Sequence, residues 1–348
     1  MVINSTIKVL PRNDENLAVA QIHVAVIKLH NKEVDKLRSE GHPPETLFEC
    51  ARKEVVKHFQ WVVLHDFLPR IVDPEVLDCV IKHGPGWFTV TKKNDLFMPL
   101  EFSAAAFRLG HSMVRDEYQW NKFHASELGS KAGAQLGELF EQTAFSGIIG
   151  KSKSTQGLPA DWVIDWRRFF RFPTYPIDPK RSNLAEKIDT NFDFHLDQMS
   201  GFPHGDLPVE KRSITVRNLL RGFALGLPTG EEVAKFIGEP EMPPEELTNG
   251  PHQQLLSSAI FAGKTPLWYY ILKEAERKGG NRLGRVGSRI VAETLVQLIK
   301  NSSFSIIGDT TWSPKFTNRR DPVTSAPVFE GMVDLLDYAG VVNPYSGP

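Results

Sequence analysis

Residues 102–120 read FSAAAFRLGHSMVRDEYQW. Ala104, Ala105, Ala106 and Gly110 are small, and His111 follows them directly. The stretch predicts a helix whose small side chains let a flat, bulky group approach its backbone. A lone histidine on such a helix has two readings. It is a hydrogen-bonded core residue, or it is a metal ligand, since neutral imidazole binds iron well.

The segments on either side predict a mainly α-helical chain. Residues 14–40 read as a helix that Asp14 can cap and whose first turn Glu15 suits, because an acid there faces the positive end of the helix dipole. Leu17 to Leu29 is apolar on nearly every side, so this helix is expected to be buried. Gly41, His42, Pro43 and Pro44 break it. A second helix follows over residues 45–68 and is expected to end at Pro69. Residues 70–100, with Pro74, Gly84, Pro85, Gly86 and Pro99, read as irregular, with a short strand in GWFTVTKK (86–93). Residues 127–185 are rich in Gly, Ser and Pro and predict long loops with short helices. Further helices are expected at 207–222, 229–238 (capped by Thr229), 251–261, 264–278 and 284–301, with a short one near 329–339. With no internal repeat and no clean linker, residues 1–348 read as one large helical domain with little β structure. Residues 1–10 form an irregular arm and 309–348 a loop-rich tail.

Composition narrows the function. Lys and Arg total 41 against 42 Asp and Glu, a formal net charge of -1. That balance leaves no electrostatic footprint for nucleic acid or an acidic membrane. The two cysteines, Cys50 and Cys79, form no CxxC pair and no disulfide framework. The N-terminus lacks an apolar leader core and no apolar run reaches the length of a membrane span, so a cytoplasmic, reducing setting is expected. No HxxxH or HExxH spacing suggests zinc. The glycines of GRVGSR lack the strand context of a dinucleotide fingerprint. Asp193 and Asp197 beside His195 read as solvated loop acids. His23, His30, His58 and His65 on the first two helices read as structural.

Six blocks in order change the weight on His111. They are PRNDENLAVAQIHVAVIKLHN (11–31), AAFRLGHSMV (105–114), LPADWVIDWRRFF (158–170), RNLLRG with ALGLPTGEEVAKFIG (217–238), TPLWYYILKEAE (265–276) and GRVGSRIVAETL (284–295). Together they resemble the animal-type haem peroxidase superfamily, of the myeloperoxidase-like kind and in a bacterial-type form, from residue 11 to about 316. The resemblance implies a mainly α-helical fold, a b-type haem (iron-protoporphyrin IX), and peroxide-dependent oxidation of a small organic reductant at a histidine-ligated iron.

Residue by residue, the resemblance puts Arg12 on the distal arginine, a fixed positive charge near developing negative charge on oxygen. Glu15 falls on the glutamate that can esterify a haem methyl, and Asn16 stands where the myeloperoxidase type has its sulfonium-forming methionine. His111 falls on the proximal ligand. Asn218 falls on the asparagine that accepts the other ring N–H and fixes its tautomer. Arg108 and Arg221 match arginines that approach the haem propionates; the bland alternative is surface pairing with Asp or Glu. The fatty-acid dioxygenases of the superfamily carry a radical-forming tyrosine three residues before the proximal histidine. Arg108 occupies that position and favours the peroxidase branch.

The family's distal histidine, its second ester-forming acid and its calcium loop lie upstream of the arginine segment. Residues 1–11 contain no histidine or aspartate. Calcium is therefore not expected. Three readings follow: one half of a two-chain enzyme whose other chain supplies the distal histidine, or a truncated piece of a longer chain; a natural short form doing other haem chemistry such as biosynthesis; or a peroxidase-derived haem-binding or interaction protein without peroxidase turnover.

Overall fold

The computed structural model describes residues 16–90, 96–125, 133–142, 158–197, 208, 212–251 and 253–342. Its helices are α1 (Leu17–Ser39), α2 (Leu47–Val62), α3 (Leu68–Ile71), α4 (Pro74–His83), α5 (Leu136–Glu141), α6 (Phe194–Asp197), α7 (Ile214–Ala224), α8 (Gly230–Ile237), α9 (Pro244–Thr248), α10 (Gln253–Leu256), α11 (Leu267–Arg277), α12 (Arg285–Lys300) and α13 (Met332–Tyr338). Two short antiparallel strands, β1 (Glu117–Tyr118) and β2 (Ala134–Gln135), pair Glu117 with Gln135. The described part is mainly α-helical, as the patterning predicts.

Local departures each have a cause. The cap of α1 is Asn16, whose Oδ1 accepts from the Ala18 and Val19 amides; Asp14 lies outside the described residues. Nor is α1 buried all round. Leu17, Ala25, Leu29 and Leu37 face inward, whereas Val19, Val24 and Ile27 are exposed. Pro69 does not end the second helix. A π-helical turn at Val63–Phe67 widens the ladder just before it, and the chain stays helical to Ile71. A wider turn removes the clash between the proline ring and the preceding carbonyl. Residues 74–83 form α4 rather than loop, because Asp73 caps it and Pro74 takes the first helical position, where no N–H is required. Residues 86–90 form no strand, and 91–95 lie outside the described residues. The capping box of α8, Thr229 with Glu232, forms as read. The helix expected at 251–261 contracts to α10.

Two large hydrophobic cores result, besides a small cluster of Leu37, Leu47 and Ala51. The larger joins α3, α4, α8, α11 and α12 to the segment 102–109. The smaller gathers α1, Trp120, Trp162, Trp166 and α13. Helix α12 is buried over most of its length. Its Glu293 has no exposed surface, and one carboxylate oxygen accepts from the amides of Gly86, Trp87 and Phe88 at 2.7, 2.9 and 3.3 Å. That carboxylate, ion-paired with Arg289 at 2.8 Å, seats the chain that leads into residues 101–111. At the head of α12, Glu274 accepts from the Val286 and Gly287 amides. Gly284 lies against it so closely that a Cβ would sit 2.1 Å from Glu274 Cγ.

His58 ties the smaller core together. It has no exposed surface and stacks on Phe316 at 3.8 Å. Nδ1 faces the Glu54 carbonyl at 2.7 Å, and Nε2 accepts from the Lys315 and Phe316 amides at 2.8 and 3.1 Å. Nε2 can accept only while the ring is neutral, and burial pushes the imidazole down to about 4. The unfolded chain, with an ordinary histidine near ~6.5, binds this proton first as pH falls. Stability is therefore full above about 6.5 and is lost as pH falls towards 4, by up to about 3 kcal/mol. Urea unfolding at pH 7 and 4.5 should show this loss. His58→Leu should be less stable at both values and show a shallower dependence on pH; an unchanged slope would count against the assignment.

Candidate haem-binding site

Residues 101–111 are not the straight α-helix that the pattern suggests. A π-helical turn, Glu101–Ala105, passes into a 3-10 helix, Ala106–His111, through a break at Ala105 (φ -129°, ψ -79°). The 3-10 helix ends at His111, and 117–118 are already in β1. The two helical forms turn Ala105 and Ala106 fully into the larger core, alongside Phe102 and Leu109. The small residues thus serve close packing inside the protein. Open space lies instead at Gly110, where a Cβ would meet nothing within 4 Å.

His111, at the end of the 3-10 helix, is half-buried. Burial, reinforced by the positive charge of Arg108, pushes its imidazole down to about 4. The ring is neutral at physiological pH, the form that can offer a lone pair to a metal.

Helix α7 packs against the π-helical turn and delivers Asn218, which has no exposed surface. Its Nδ2 lies 2.8 Å from His111 Nδ1. On the other side of the amide, Arg108 Nη1 donates to Asn218 Oδ1 at 2.5 Å, and Arg108 Nε donates to the Ser103 carbonyl at 3.3 Å. So Arg108, Asn218 and His111 form one chain of contacts. Its polarity is the reverse of the expectation. The asparagine oxygen is taken by the guanidinium, and the amide presents N–H, not oxygen, to His111.

Arg221, one turn further along α7, is exposed. It is close enough to Arg108 that, after burial, its like charge lowers the Arg108 pKa. Among the described residues no carboxylate pairs with either guanidinium. Arg12 and Glu15 lie outside the described residues. Those residues also hold no group of three or more His, Cys, Asp or Glu side chains able to grip a metal ion. Asp197 accepts from the Ser213 hydroxyl. Cys50 and Cys79 are both free, and among the described residues no helix is long and apolar enough to cross a membrane.

This donor set fits haem. A neutral imidazole beside open space suits a single axial bond to iron, and two arginines without acidic partners among the described residues suit a pair of carboxylates. The contact between Arg108 and Asn218 was absent from the sequence reading, because nothing in either segment signals a partner 110 positions away.

Residues 10–152 match the family model for animal haem peroxidases. The chain is 31% identical over 110 residues to a peroxidase-like protein of Margaritifera margaritifera, covering 30% of this chain and 14% of that protein. It is 26% identical over 118 residues to chorion peroxidase of Drosophila melanogaster, covering 32% and 15%. The fold is similar to that of Peroxidase A from Dictyostelium discoideum, with TM-score 0.56 and 19% identity over 84% of this chain. The similar part spans about half of that peroxidase (51%) and about a seventh of the two sequence relatives.

Burial separates the two polar residues of α7. Asn218→Ala leaves the Arg108 guanidinium and the His111 Nδ1 without their shared partner and should lower stability by about 1–3 kcal/mol. Arg221→Ala, at an exposed and repelled position, should stay within about 0.5 kcal/mol of the parent. Equal effects of the two substitutions in urea unfolding would contradict this placement.

Proposed function

We propose that this chain belongs to the animal-type haem peroxidase superfamily, whose family model residues 10–152 match, and that it binds b-type haem through His111 Nε2 for peroxide-dependent oxidation of a small organic reductant. The observation that carries the reading is the neutral, half-buried His111 beside the Arg108 guanidinium, which in turn feels the charge of Arg221, neither arginine having an acidic partner among the described residues. Bound haem would supply the iron at which peroxide is reduced and the substrate oxidised.

The rest is the work of this chain's own side chains. His111 holds the group by one lone pair. Asn218 engages the opposite ring nitrogen and sets the ring's orientation. Arg108 and Arg221 meet the two carboxylates of the ligand edge. Arg12 offers a fixed positive charge where negative charge develops on oxygen. Glu15 is the candidate for an ester to the ligand periphery. His111→Ala should abolish stoichiometric haem binding, read as loss of the Soret band on titration. An unchanged spectrum in that variant would overturn the assignment.

Proton movement sets a second expectation. A guanidinium stays protonated and cannot accept a proton from peroxide, so Arg12 contributes charge alone. The base is proposed to come from a second chain that supplies a distal histidine. General acid–base assistance is worth about 10²–10⁴-fold. Stopped-flow mixing of the haem-loaded chain with hydrogen peroxide should therefore be slower by that order than in a peroxidase with a distal histidine. A full rate with no partner present would show that a residue of this chain fills the role. The alternative, a haem-binding or biosynthetic protein without peroxidase turnover, would give the Soret band and no peroxide reaction even with a partner.

A further inference from the structure

The direction of the hydrogen bonds at Asn218 has a consequence for His111. A guanidinium only donates, so with Arg108 Nη1 at 2.5 Å the Asn218 oxygen is the acceptor. The amide nitrogen, which only donates, is then left facing His111 Nδ1 at 2.8 Å. That nitrogen has to accept, so the ring proton of the neutral imidazole sits on Nε2. Asn218 has no exposed surface, so water does not offer the amide another partner. Turning the amide over would satisfy an Nδ1–H but would set its NH2 against the Arg108 donor.

We propose that Arg108 is a positioning residue for His111. It holds the imidazole in the tautomer whose Nε2 is protonated and closed to a metal, and releases it when a carboxylate of the ligand takes the guanidinium. The inference rests on the reading of His111 as an axial ligand. Once Arg108 moves to a carboxylate, the Asn218 amide is free to turn and its oxygen accepts from Nδ1–H. One proton leaves Nε2 to solvent and one is taken up at Nδ1, so the ring stays neutral and the Nε2 lone pair is exposed. Arg221, whose like charge already acts on Arg108, favours the same departure. The two charges separate less unfavourably when a pair of carboxylates is shared between them. The site thus recognises a porphyrin by its acidic edge before it offers the metal bond.

The tautomer can be read without any porphyrin. In the full chain labelled with ¹⁵N-histidine, NMR should show His111 with the proton on Nε2, the signal being assigned by its loss in His111→Ala. Arg108→Lys keeps a donor at the amide and should retain that pattern. Arg108→Met removes the donor, frees the amide and should end the exclusive Nε2–H form. A proton on Nδ1 in the parent, or an unchanged pattern in Arg108→Met, would overturn the proposal.

The second arm compares zinc protoporphyrin IX with its dimethyl ester. The parent should prefer the free acid by on the order of tenfold to a hundredfold, and the preference should shrink in Arg108→Met. Equal affinity for acid and ester in the parent would also overturn the proposal. If neither porphyrin binds while the tautomer follows Arg108 as described, the haem reading fails and the control of the ring by Arg108 stands.

Discussion

The Asn218 amide joins two segments that lie 107 residues apart in the chain. On one side it meets the ring of His111, and on the other it accepts from Arg108. Both partners come from the same short 3-10 helix, so the amide sees the His111 ring and the Arg108 guanidinium at once. A buried amide with its oxygen and nitrogen both engaged has little freedom to be elsewhere. Its place fixes how α7 approaches residues 101–111, and with that the direction in which His111 points.

The surrounding fold holds this geometry from behind. Glu293 on α12 gathers the amides of residues 86–88, and Glu274 caps the start of α12. These two buried carboxylates organise backbone N–H groups that would otherwise have no partner. The change from π-helical to 3-10 geometry at Ala105 then turns Ala105 and Ala106 inward and leaves Gly110 and His111 at the edge of the core. A uniform α-helix would divide these residues differently between core and surface, because its side chains repeat every 3.6 residues.

Charge follows the same division. In the described structure most buried acids meet amides, lysines or arginines, as Asp334 does with Arg319 at 2.7 Å. Arg108 and Arg221 depart from that habit, being near each other and without a carboxylate among the described residues. Like charges close together suit the anionic ligand proposed for this site. His111, kept neutral by burial and by Arg108, belongs to the same place.

The sequence by itself determined that the chain is mainly helical, where most helices lie, and that Thr229 opens one of them, and it singled out Arg108, His111 and Asn218, which the fold brings together. Those features depend on local propensity, capping and the order of short motifs, all of which act over a few positions. It misjudged α1 as buried all round, Pro69 as a stop, residues 70–100 as loop and Ala104–Ala106 as a face for a ligand. Each error came from reading a local pattern that tertiary packing re-used: a π-helical turn absorbed the proline, Asp73 and Pro74 started α4, and the alanines went to the core. Only the tertiary structure decided that Arg108 takes the Asn218 oxygen and that His111 faces the amide's nitrogen. That choice depends on which of two ends of one side chain meets a cation from a distant segment, and no periodicity or spacing encodes it.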